Sequence, residues 1–136
     1  MTFAKEKEMI NNKYLFIIFT SDFYKFYYSL NTASTLRACN KEVCIFITGY
    51  SCNFIFNDWT AFDKKKSIES IKKNKMSSYE EILDICNELK IDFYYCDTAL
   101  DLLNSKNKKL INEIKIKPMG LYEVINKFKE DQIIFI

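Results

Sequence analysis

Ile91-Asp92-Phe93-Tyr94-Tyr95-Cys96-Asp97-Thr98-Ala99-Leu100-Asp101-Leu102-Leu103 is the stretch whose reading decides the fold. An apolar, aromatic-rich run ends in a cysteine, and an apolar helical pattern follows after small and acidic residues. The spacing predicts a buried strand that delivers Cys96 to the mouth of a helix. In open α/β sheets, ligands and chemistry collect beyond the carboxyl ends of the strands. Unpaired N–H groups at a helix start favour negative charge, which suits a thiolate.

The same alternation recurs on both sides. Tyr14 to Thr20 and Val43 to Thr48 are apolar throughout, as in strands covered on both faces. Ser21 and Asp22 supply a helix cap, and Phe23, Phe26, Tyr27, Leu30, Ala33, Ser34 and Leu36 follow at helical spacing to about Cys39. Asn40 suits a left-handed C′ position. Gly49, one of two glycines, suggests positive φ or a close approach.

Tyr50 to Met76 reads as a short helix or irregular segment whose aromatics pack inward or into a subunit contact. Lys64-Lys65-Lys66 reads as a solvated face. Ser77-Ser78-Tyr79-Glu80-Glu81 is a capping box, opening a helix that buries Tyr79, Ile82, Leu83, Cys86 and Leu89. Thr98 to about Leu103 is a short helix. Ile114 to Lys117 alternates like a strand nearer an edge, Pro118-Met119-Gly120 opens a helix, and Ile133 to Ile136 closes the chain as a strand.

This is the pattern of an α/β three-layer sandwich: one domain, a mainly parallel five-stranded sheet, doubly wound and flavodoxin-like. Residues 1–13 form a polar arm and 14–136 the domain. The expected strand order is 2-1-3-4-5, with right-handed crossovers. It aligns Ser21/Asp22, Gly49/Tyr50, Cys96/Asp97 and Met119/Gly120 along one sheet edge. Cys96 then lies at the switch point between strands one and three.

With 136 residues, the chain buries roughly two-thirds of its unfolded surface without disulfide staples. A net charge of +2 lacks the basic excess of a nucleic-acid binder. Lys5, Glu6, Lys7 and Glu8 interrupt the first apolar residues, unlike a signal peptide, and no apolar run reaches the ~20 residues of a membrane span. Five irregularly spaced cysteines are no disulfide framework, so a cytoplasmic, reducing location is expected.

The chain has no histidine, which excludes Ser-His-Asp and Cys-His catalysis and histidine metal sites. No CxxC occurs, two isolated glycines build no phosphate loop, and a cysteine stands where a phospho-receiver needs its aspartate. No cofactor or metal is expected. Cys44 and Cys86 read as core, and Cys39 as packing near a helix end. Cys52 is the candidate resolving thiol. In the expected order it sits roughly 10 Å from the Cys96 strand, beyond disulfide reach without loop movement.

In sequence order these features resemble the DsrE/F-like family of small sulfur-handling proteins, with its TusD-related carrier fold and peroxiredoxin-like branch. Phe46-Ile47-Thr48-Gly49 approximates the family's strand-two ending, and Ser78-Tyr79-Glu80-Glu81-Ile82 its Ser-x-Glu-Glu-Leu helix start. Cys96 to Asn104 partly matches its Cys-x-x-Ser-x-x-x-x-Gly segment. Ala99, Asn104 and Met119 depart from it, standing in place of Ser, Gly and the first of two glycines.

The resemblance implies a homotrimer or homohexamer in which Cys96 relays sulfur as a persulfide between donor and acceptor proteins. Gly49, Tyr50, Asp97, Thr98, Met119 and Gly120 would then line the site. Other members of the family are scaffolds without activity, and the same crevice would then bind a small ligand or a partner peptide.

Overall fold

Five parallel strands form the centre of the computed structural model, which describes residues 12–105 and 107–136. In chain order they are β1 (Lys13–Ile18), β2 (Glu42–Ile47), β3 (Asp92–Tyr95), β4 (Ile116–Pro118) and β5 (Gln132–Phe135). Between them run α1 (Phe23–Ala38), α2 (Ser67–Lys73), α3 (Tyr79–Glu88), α4 (Asp97–Leu102) and α5 (Leu121–Lys127). The arm expected at residues 1–13 falls almost wholly outside the described residues. β1 already begins at Lys13.

The doubly wound α/β architecture holds, but the strand order is β4-β3-β2-β1-β5, not 2-1-3-4-5. The physical reason is burial. Val43 to Ile47 are all buried, so β2 is an inner strand. Lys115 and Lys117 are exposed, as are Ile133 and Phe135, and β4 and β5 form the two edges. Three successive crossovers step one way and place their helices on one face. The return from β4 to β5 places α5 on the other, where the Tyr94 and Phe128 rings lie 6.3 Å apart. Exits to opposite faces therefore meet between β3 and β4, and the switch point moves there.

Local signals hold at the helix ends. Asp22 caps α1 by accepting from the Tyr24 N–H at 2.9 Å. Ser78 and Glu81 form a reciprocal capping box on α3. Asn40 and Asn104 adopt positive φ, as does Gly49. A Cβ on Gly49 would run into the Phe19 ring, so position 49 is closed both by backbone conformation and by space.

Residues 50–76 fold as two 3₁₀ turns (Gly49–Ile55 and Trp59–Phe62) followed by α2. Most of their aromatics turn inward, while Tyr50 stays exposed. Phe54 packs on Phe23 and Phe26, and the Trp59 and Tyr79 rings sit 4.5 Å apart, edge to face. The buried Tyr79 hydroxyl donates to the Phe54 carbonyl at 2.6 Å, which ties this insertion to α3. The chain after α4 returns alongside it: Phe56 bridges Leu110, and the Ile111 N–H donates to the Ile55 carbonyl at 2.9 Å. No helix among the described residues is long and apolar enough to cross a membrane.

Candidate functional site

Cys96 directly follows β3 and occupies the N-cap position of α4, with extended backbone and no side-chain capping bond. Asp97 is the first helical residue, and it and Thr98 are exposed. The Cys96 N–H donates to the Ile47 carbonyl at 3.0 Å, which fastens the site to the end of β2. On the other side the Met119 N–H donates to the Tyr95 carbonyl at 2.9 Å, which fastens it to the end of β4. Cys96 itself is 8% exposed, and Ala99 beneath it is buried.

The other expected site residues divide around this centre. Gly120 caps α5, its N–H donating to Glu123 Oε1 at 3.4 Å, next to half-buried Met119. Gly49 begins the first 3₁₀ turn, directly after β2. Tyr50 is exposed. Its ring meets Phe19 edge to face at 5.6 Å and lines a separate cavity of about 500 Å³ with Ser21, Asp22, Asn53 and Lys65. There Lys65 Nζ reaches Asp22 Oδ2 at 2.9 Å and holds the Asp22 carboxyl below its usual range.

Tyr94 and Tyr95 face opposite layers, as strand geometry requires. Tyr94 bonds Lys127 Nζ at 3.2 Å on the α5 side. Tyr95 belongs to the Cys96 side. Burial, then Asp97, then Cys52 raise the pKa of its phenol.

The largest departure from the sequence reading concerns Cys52. With β2 beside β3, it is a neighbour of Cys96 and not two strands away. Its thiol donates to the Ile47 carbonyl at 3.6 Å, the oxygen that also accepts from the Cys96 N–H. Burial pushes the Cys52 thiol up to about 12; the nearby Cys96 side chain adds to this, and the Cys96 N–H opposes it. Cys44 and Cys86 are core as expected, also pushed up to about 12 by burial. Cys39, expected as packing, is exposed, because it is the C-cap of α1, past the helix's last buried turn.

With this geometry in place, the sequence matches the DsrE/DsrF-like family over residues 12–135. The chain belongs to the DsrE/DsrF-like family. The fold is similar to that of the ychN protein from E. coli, with a TM-score of 0.67 and 15% identity over 92% of this chain and 99% of that one. At that identity the likeness concerns the fold alone. No curated protein matches the sequence.

Proposed function

We propose that this DsrE/F-like chain carries sulfur as a persulfide on Cys96, receiving it from one protein and passing it to another. The observation that carries the reading is the placement of Cys96. It is a cysteine at the carboxyl end of a central-sheet strand, between the ends of two neighbouring strands, in a chain of this family.

The reaction is modest. The Cys96 thiolate attacks the outer sulfur of a donor persulfide, and the donor leaves as a thiolate. Cys96 then holds one extra sulfur until an acceptor thiolate takes it. Neither a metal nor a histidine is needed. Asp97, Thr98, Met119 and Gly120 form the rim that an incoming chain meets, while Gly49 and Tyr50 belong to the neighbouring β2 exit. The reading includes a cytoplasmic location and a homotrimer or homohexamer.

A second reading rests on a different observation. Cys96 is only 8% exposed, the value of a structural thiol, so the chain would be a scaffold or binding subunit without sulfur chemistry.

Intact-mass measurement after incubation with a small-molecule persulfide separates the two. Sulfur carriage predicts an added sulfur, lost on reduction and absent in Cys96→Ala. An unchanged wild-type mass, or equal uptake by Cys96→Ala, selects the scaffold.

A further inference from the structure

We propose that Cys52 is a resolving thiol for Cys96, an inference that rests on Cys96 carrying sulfur. Cys52 has no route to solvent, being 0% exposed, and the sulfur it neighbours is that of Cys96. The Cys52 thiol and the Cys96 amide converge on the Ile47 carbonyl oxygen, at 3.6 Å and 3.0 Å. Cys44 and Cys86 occupy other places. The Cys86 thiol faces the Leu30 carbonyl of α1, and Cys44 lies mid-strand, paired with Leu15 and Asp92.

The geometry imposes an order. Cys96 meets an incoming donor first, because it is 8% exposed and Cys52 is 0% exposed. Cys52 is 0% exposed, so small oxidants do not reach it. Once Cys96 is loaded, Cys52 passes its proton to the outer sulfur of the persulfide as its own sulfur attacks the inner one, that of Cys96. A Cys52–Cys96 disulfide bond forms and the bond to the outer sulfur breaks. The outer sulfur leaves as hydrogen sulfide, taking its own proton and the one from Cys52.

The Cys52 sulfur is oxidised, the departing sulfur is reduced by the same amount, and no outside oxidant is consumed. A cellular dithiol restores the pair by thiol–disulfide exchange. Cys52 thereby discharges a loaded chain that meets no acceptor. It releases sulfide where an acceptor would have taken sulfane sulfur.

The test uses glutathione persulfide on the full chain, followed by removal of the donor. Mass and free sulfide are then tracked without reductant. In wild type the sulfur adduct decays to a species two hydrogens lighter than the reduced chain, with one sulfide released per chain. Digestion then joins the Cys96 peptide to the one holding Cys52. In Cys52→Ala the adduct on Cys96 lasts about tenfold longer or more, and no cross-link forms. Cys52→Ser, whose hydroxyl still donates toward Ile47, behaves the same way and covers the case in which Cys52→Ala fails to fold.

Equal adduct lifetimes with no cross-link in wild type overturn the inference while leaving sulfur carriage intact. A wild-type chain that takes up no sulfur removes the reading beneath it and the inference together.

Discussion

The Cys52 thiol and the Cys96 amide share one acceptor, the Ile47 carbonyl oxygen at the end of β2, at 3.6 Å and 3.0 Å. This follows from strand order. β2 and β3 are adjacent, so the turn leaving β2 folds back under the start of α4. Chemistry at Cys96 therefore takes place beside a second sulfur that solvent does not reach.

The buried thiols give stability a marked dependence on alkaline pH. Cys44, Cys52 and Cys86 are each pushed up to about 12 by burial. In the unfolded chain they ionise near 8.5. Between these values the unfolded state has lost protons that the folded state retains, so stability falls as pH rises. Each thiol adds up to about 1.4 kcal/mol per pH unit to the slope. Urea unfolding from pH 7 to 11 checks this: stability should be level up to about pH 8 and fall beyond it, less steeply in Cys86→Ala.

Native alkylation should distinguish the cysteines by exposure. Cys39 is exposed, whereas the other four are buried. Iodoacetamide at neutral pH should modify Cys39 first and leave Cys44, Cys52 and Cys86 unmodified until urea is added. Peptide mass mapping reads the order.

Gly49→Ala should destabilise the fold by about 1–3 kcal/mol. The residue has a φ of 54°, and a Cβ there meets the Phe19 ring. That ring also stacks on Phe135 at 6.2 Å, so moving it disturbs the neighbouring edge strand. Urea unfolding checks the magnitude.

Tyr79→Phe should cost about 1–2 kcal/mol, since it removes the buried hydroxyl that bonds the Phe54 carbonyl. Burial raises the Tyr79 pKa well above 10, so the wild-type phenol stays protonated when the unfolded one ionises. The variant should lose that part of the stability decline above pH 10, which the same urea series detects.

Much of the fold was legible because local chemistry wrote it. The Ser78/Glu81 box, the Asp22 cap and left-handed Asn40 each depend on residues within a few positions. Strand order is less legible, although signals for it are present. The lysines of Ile114 to Lys117 mark an edge, and the unbroken apolar run Val43 to Ile47 marks an inner strand. An order placing strand two at the edge ignores both. The Cys52–Cys96 proximity was lost with it, because a contact between segments distant in sequence appears only once their strands are correctly paired. Residues 50–76 were opaque for another reason. Their aromatics follow neither helical nor strand spacing, and only tertiary packing onto Phe23 and Tyr79 orders them.

The most direct test of sulfur carriage on Cys96 is to locate the transferred atom. The chain is loaded from a persulfide donor bearing isotopically heavy sulfane sulfur, quenched by alkylation and mapped by peptide mass. The account predicts heavy sulfur on the Cys96 peptide, ahead of the more exposed Cys39. Label confined to Cys39, or absent from the chain in wild type and Cys52→Ser alike, would contradict it.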